Sequence, residues 1–290
     1  MTPSQVSPHG AKRVDLPGRY GPLAALRRPV PGQGPIALLV PGYTGSKEDF
    51  VPLIDPIADA GIEPIAIDLP GQYESVGPVE LDAYLPAALG GLIAELVGKL
   101  AADGRPILLL GHSYGGLVSR GAVLAGTPIR GLTLLSSGPE ELPVGPRRKM
   151  LELAEPVLRE HGIETLAEFR RAMYENDPNW LKLPAELREF LTERFRRTMP
   201  ENLLGMAMGL RTEPDLVDSL ARQLETTATP CLVACGADDD AWPIAAQRDM
   251  AERLDADFAV IPGARHSPAV ENPEALLGVL LSTWRMWLAG

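Results

Sequence analysis

The chain has 290 residues, enough for one large α/β domain or two small ones and for a substantial buried core. Hydrophobic residues make up 45% and charged residues 22%, the proportions of a globular protein. The formal net charge of -11 disfavours nucleic acid and anionic membrane surfaces, which need clustered Lys and Arg. No run approaches the length of a membrane span and no apolar leader opens the chain, so the expectation is a cytoplasmic protein with no membrane or nucleic-acid partner.

Seven of the first 35 residues are proline, and residues 1–12 are expected to form a loose arm. Residues 13–28 read as two short strands turning near Gly18 and Gly21. The first strong element is the apolar run 36–40, a buried strand that ends in Pro41-Gly42-Tyr43-Thr44-Gly45-Ser46. A helix over 49–60 is stopped by Gly61, a strand follows over 62–68, and a long helical segment over 81–102 is interrupted by Gly90 and Gly91. The run Ile107-Leu108-Leu109-Leu110 is another buried strand; it enters Gly111-His112-Ser113-Tyr114-Gly115, and 117–124 continues as helix. A strand over 131–136 follows.

The rhythm then changes. From 138 to 226 there is no convincing strand, only helical patterns at 147–161, 163–175, 184–199, 201–211 and 214–225. Alternation resumes with a strand at 230–235, a helix at 243–254, a strand at 258–261 and a final helix at 273–288. Short continuous apolar strands alternating with helices imply a doubly wound, mostly parallel sheet covered on both faces. The expected division is an α/β core made of 1–137 and 227–290, with 138–226 as an all-helical cap inserted after the sixth strand. Cys231 and Cys235 stand four apart in a predicted strand, roughly 13 Å along one face, too far to bridge. They read as small buried apolar side chains.

In such a sheet the ligand site lies beyond the carboxyl ends of the strands, so the residues just after each strand carry the chemistry. Ser113 stands there between two glycines in GxSxG spacing. With eleven serines and glycine at one residue in ten, chance supplies roughly 0.1 such motifs. A sharp strand-to-helix turn makes a serine protrude where an imidazole can take its proton, and Gly111 and Gly115 leave room for that turn. After 230–235 comes Gly236-Ala237-Asp238-Asp239-Asp240-Ala241-Trp242-Pro243, and after 258–261 comes Pro262-Gly263-Ala264-Arg265-His266.

These motifs, in this order, resemble the α/β-hydrolase fold superfamily, in its serine-nucleophile branch with a helical cap, over nearly the whole chain from Ile36 onward. The resemblance implies Ser113 as nucleophile, Asp239 as acid and His266 as base, Asp239 being chosen by the GxxDxxxP pattern of Gly236, Asp239 and Pro243. In some relatives the acid follows the sixth strand, here at Glu140 or Glu141. Tyr114, after the nucleophile, and Tyr43 would supply the backbone N–H groups of an oxyanion hole. Pro41-Gly42 stands where the family usually has His-Gly. Of the other histidines, His9 lies in the arm, His161 ends a cap helix, and His112 is expected to turn its ring away from the nucleophile.

The implied activity is a serine hydrolase acting on a carboxylic ester or similar small acyl compound through an acyl-enzyme, with neither metal nor cofactor, and faster as pH rises through about 7 and His266 loses its proton. Thioesterase, lactonase, peptidase, carbon-carbon hydrolase and cofactor-free perhydrolase chemistry fit the same triad, and a ligand-binding protein with little turnover is the alternative from another class. In the cap, Met173, Tyr174, Trp180, Met206 and Met208 are expected mainly to glue helices together rather than to line a pocket. The pairs Arg170, Arg171 and Arg196, Arg197 read as solvated faces. Oligomeric state is not legible.

Overall fold

The computed structural model describes residues 4–290. Strands β1 (Lys12–Leu16) and β2 (Leu23–Arg27) form a hairpin, and β3 (Ile36–Val40) leads through a 3-10 turn at Lys47–Phe50 into α1 (Val51–Asp59). Then come β4 (Glu63–Ile67), α2 (Pro86–Leu100), β5 (Ile107–His112), α3 (Tyr114–Leu124) and β6 (Gly131–Leu135). Five helices follow: α4 (Pro146–Tyr174), α5 (Pro178–Lys182), α6 (Ala185–Arg197), α7 (Pro200–Thr212) and α8 (Val217–Thr227). The chain closes with β7 (Cys231–Gly236), α9 (Ile244–Arg253), β8 (Asp257–Ile261), α10 (Pro268–Glu271) and α11 (Pro273–Ala289).

The eight strands form one sheet in the order β1-β2-β4-β3-β5-β6-β7-β8. Pairing is antiparallel for β1 with β2 and β2 with β4, and parallel from β4 to β8. Side chains alternate across a strand. Ile36, Leu38 and Val40 of β3 therefore join Ile107 and Leu109 of β5 in a core layer under α2, α3, α8 and α9. Ala37, Leu39, Leu108 and Leu110 face the opposite layer under α1 and α11. Both faces are covered, which is why these strands are continuous apolar runs rather than alternating ones. The doubly wound, mostly parallel sheet inferred from the sequence is the observed architecture.

One local expectation changes, and a second gains its physical reason. The proposed loose arm is docked from Ser4 onward: the Gly10 N–H donates to Asp55 Oδ1 of α1 at 2.9 Å, and Gln5 reaches Asp49 at 3.4 Å. The two helices expected on either side of Gly162 are both present, joined within the span of α4 by a kink where Gly162 leaves helical geometry with φ 77°. That value costs glycine little, because it has no Cβ to collide with the following carbonyl.

Helices α4 to α7 lie over the carboxyl edge of the sheet, whereas α8 packs on the sheet layer, with Val217, Leu220 and Leu224 in the core beside α3 and α9. The roof has its own apolar cluster of Leu158, Leu166, Ala167, Phe195 and Leu203, and Tyr43 packs beneath it. Polar bonds tie roof to sheet: Met199 N–H to the Gly71 carbonyl at 2.8 Å, Asn202 Nδ2 to the Pro70 carbonyl at 2.7 Å, and Arg194 Nη1 to Asp49 Oδ1 at 2.6 Å. Cys231 and Cys235 are buried and unbridged, and burial pushes their thiols up to about 12 and about 11.

Candidate active site

Ser113 occupies the turn between β5 and α3 with φ 55° and ψ -119°, a strained conformation for a residue with a Cβ. The register that places Val40 beside Gly111 brings the ends of β3 and β5 together. The turn closes only because its neighbours are small: a Cβ on Gly111 would collide with the Gly115 carbonyl, and one on Gly115 with those of Val40 and Pro41. Ser113 N–H donates to the Leu135 carbonyl at 2.8 Å and Gly116 N–H to the Ser113 carbonyl at 2.9 Å, so both sides of the turn are pinned.

Three side chains from three strand ends meet here. His266 Nε2 lies 2.9 Å from Ser113 Oγ, and His266 Nδ1 lies 2.9 Å from Asp239 Oδ1. An ionised carboxylate only accepts, so Nδ1 carries the proton and Nε2 accepts from the hydroxyl. The carboxylate is fully enclosed. Burial alone would raise its pKa, but hydrogen bonds from His266, the Ala241 N–H and Gln247 bring it below the ordinary carboxylate value. Asp238 is exposed, and Asp240 is held by Arg147 and Arg265. Glu141 pairs with Arg148 at 2.9 Å, and the Glu140 backbone carbonyl accepts from the Trp242 indole at 3.2 Å. The carboxylate against His266 is thus that of Asp239.

Tyr43 and Tyr114 flank the serine. The Tyr114 N–H opens α3, where no earlier turn can accept it, and the Tyr43 N–H has no acceptor among the described residues. Gly42 lies against the serine: a Cβ there would sit 2.9 Å from Ser113 Cβ. The Gly42 carbonyl faces the other way, accepting from Gln72 Nε2 at 2.8 Å and Gly45 N–H at 3.0 Å. Burial pushes the Tyr43 phenol up to about 12, with Arg170 and Arg211 pulling against that rise.

Several site neighbours were not legible in the sequence. Gln247 of α9 is fully buried and donates to Asp239 Oδ2 at 3.1 Å. Gln72 is also fully buried, and its Oε1 accepts from the Leu69 N–H at 2.9 Å. Lys47 is enclosed with Asp68: its N–H and Nζ reach the two carboxylate oxygens at 2.7 and 2.9 Å, and Glu48 and Glu74 complete the cluster. His112, expected to turn away from Ser113, packs on the His266 loop. Its ring faces His266, 5.1 Å between centroids, and its Nε2 donates to the His266 carbonyl at 2.7 Å. Burial, reinforced by the neighbouring His266 charge, pushes His112 down to about 4. It stands as a neutral prop for the His266 loop.

A cavity of about 490 Å³ opens above Ser113 between the sheet edge and the roof. Met173 and Tyr174 line it, whereas Met206 is core and Trp180 stacks on Tyr174 with centroids 4.9 Å apart. Arg170, expected on a solvated face, also lines the cavity.

The sheet topology and the serine at its strand-to-helix turn define an α/β-hydrolase architecture. The chain belongs to the alpha/beta hydrolase family, whose model matches residues 37–279. It is 26% identical over 226 residues, 74% of this chain and 80% of the other, to a 2-succinyl-6-hydroxy-2,4-cyclohexadiene-1-carboxylate synthase of Serratia proteamaculans (strain 568). Among solved structures, a carboxylesterase of Nitrososphaera gargenis superposes with a TM-score of 0.75 at 18% identity, over 95% of this chain and 99% of that one. A thermophilic esterase of Thermogutta terrifontis gives 0.72 at 23%, over 96% and 99%. Among the described residues, no helix is long and apolar enough to cross a membrane.

Proposed function

We propose that the chain is a serine hydrolase that cleaves a small carboxylic ester through an acyl-enzyme. The observation that carries the reading is the relay Asp239, His266, Ser113, with 2.9 Å at each link, closed on a serine in a strained turn. His266 Nε2 takes the hydroxyl proton as Ser113 Oγ bonds to the ester carbon. The Tyr43 and Tyr114 N–H groups receive the charge that develops on the carbonyl oxygen. Collapse of the tetrahedral adduct expels the alcohol, which takes the proton from His266. Water, deprotonated by the same nitrogen, then attacks the acyl-enzyme, and the released acid frees Ser113. Asp239 stays ionised throughout, holding the Nδ1–H tautomer and balancing the imidazolium. Helices α4 to α7 act as the cap that encloses the substrate.

A fluorophosphonate probe tests this. Labelling at Ser113 that is lost in Ser113→Ala, with an initial burst on p-nitrophenyl acetate, is the expected result; folded protein that resists labelling would sink the proposal. A second reading, a synthase acting on a cyclic carboxylate, is favoured by the curated relative. Failure to trap an acyl-enzyme from any ester would move the balance toward it.

A further inference from the structure

The cavity above Ser113 holds a charge that ester cleavage does not use. Three arginines and two aspartates line it. Arg194 meets Asp49 at 2.6 Å and Arg147 meets Asp240 at 2.6 Å, and Asp240 is shared with Arg265 at 3.0 Å. Both aspartates are thereby engaged. Arg170 has neither an ion-pair nor a hydrogen-bond partner among the described residues. Its guanidinium carbon lies instead 4.4 Å from the centre of the Phe195 ring and 5.5 Å from that of Tyr174.

Aromatic faces attract a guanidinium through their quadrupole and hold it flat. Stacking does not use the N–H bonds, which lie in the guanidinium plane and match the two oxygens of a carboxylate. Around Arg170 the wall is apolar, with Leu166 and Phe195 buried and Phe169 half exposed at the cavity mouth, so an anion there would meet a charge backed by apolar surface on its inner side. Tyr43 links the two ends of the cavity: its backbone adjoins Ser113 through Gly42, and its side chain packs against the roof cluster that contains Leu166 and Phe195. Arg170 is also the foremost charge drawing down the Tyr43 phenol.

We infer that Arg170 is the carboxylate-binding residue of the cavity, and that the substrate is an ester with a free carboxylate remote from the bond that is cleaved, such as the half-ester of a short dicarboxylic acid. The inference rests on the hydrolase reading for the bond broken, but not for the anion site. Hydrolysis of such a half-ester consumes one water and releases an alcohol and a dicarboxylate.

The test compares mono-p-nitrophenyl glutarate with p-nitrophenyl valerate, of equal acyl length, and measures glutarate binding to the Ser113→Ala protein by calorimetry. The expected result is a kcat/KM ratio of about tenfold or more in favour of the glutarate ester, narrowing as salt screens the pair. In Arg170→Gln that ratio falls toward one, and in Ser113→Ala carrying Arg170→Gln glutarate binding weakens by about tenfold. Arg170→Lys keeps the charge without the planar fork and recovers only part of the preference. A ratio or glutarate affinity indifferent to Arg170→Gln would overturn the inference, as would tighter binding of inorganic phosphate than of glutarate. If both esters are cleaved by Ser113 with no dependence on Arg170, the anion site alone fails. If Ser113 resists the probe while glutarate still needs Arg170, the hydrolase reading alone fails.

Discussion

Gln72 offers the sharpest test of how the proposed oxyanion loop is held. In a trans peptide the carbonyl of one residue and the N–H of the next point in opposite directions. Anchoring the Gly42 oxygen to Gln72 Nε2 at 2.8 Å therefore aims the Tyr43 N–H away from Gln72, on the side where Gly42 lies against Ser113. Gln72→Ala removes one of the two donors to that oxygen, leaves the Gly45 N–H as the other, and orphans the Leu69 N–H. An orphaned buried amide costs about 1–3 kcal/mol, which a melting experiment detects. Complete loss of an oxyanion donor lowers kcat roughly 100- to 1000-fold. With Gly45 still in place, the expected fall is smaller, about 10- to 100-fold in kcat with KM within about threefold. Gln72→Glu keeps an acceptor for Leu69 but sets oxygen against the Gly42 oxygen, so kcat should fall at least as far as in the alanine variant. Steady-state kinetics on a short p-nitrophenyl ester reads both parameters. A kcat within twofold of the parent in folded Gln72→Ala, or a change confined to KM, would exclude Gln72 as the anchor of that loop.

The remaining predictions concern the relay and its supports. Asp239→Asn should preserve the fold yet lower kcat by roughly 10⁴, because the amide selects the wrong His266 tautomer; near-parent turnover would exclude Asp239 as the acid. Lys47→Met leaves Asp68 enclosed beside Glu48 and Glu74 without their shared cation, and should destabilise the protein by about 3–5 kcal/mol in urea unfolding. His112, depressed to about 4 from an ordinary value of 6.5, binds its proton more weakly folded than unfolded. Its contribution to stability is present above pH 6.5 and is lost as pH falls toward 4, by at most roughly 3 kcal/mol. His112→Gln should flatten that part of the stability profile; an unchanged slope would contradict the assignment. The lowered carboxyl of Asp239 acts in the same sense, at pH values below the ordinary aspartate range.

The sequence alone was enough for the sheet, because burial on both faces leaves a local record. The runs Ile36–Val40 and Ile107-Leu108-Leu109-Leu110 are apolar at every position, and the glycines around Ser113 mark a turn that admits no Cβ. Strand ends marked where to look for site residues, and the family resemblance, through the pattern of Gly236, Asp239 and Pro243, implied Asp239 among three adjacent aspartates. Tertiary structure decided which polar groups are buried and what they face. Gln72 and Gln247 are buried because acceptors at Gly42 and Asp239 wait for them, partners that side-chain type and periodicity do not name. The same holds for Lys47, an ordinary surface residue by type, enclosed here because Asp68 stands at the end of the neighbouring strand. His112 ends β5 among apolar neighbours, and only the docking of the His266 loop sets the direction of its ring. Arg170 lies on a helix between solvent and cavity, where polar and apolar faces do not separate cleanly. Hydrophobic patterning records whether a position leaves water, but the identity of the group that meets it is a property of the folded whole.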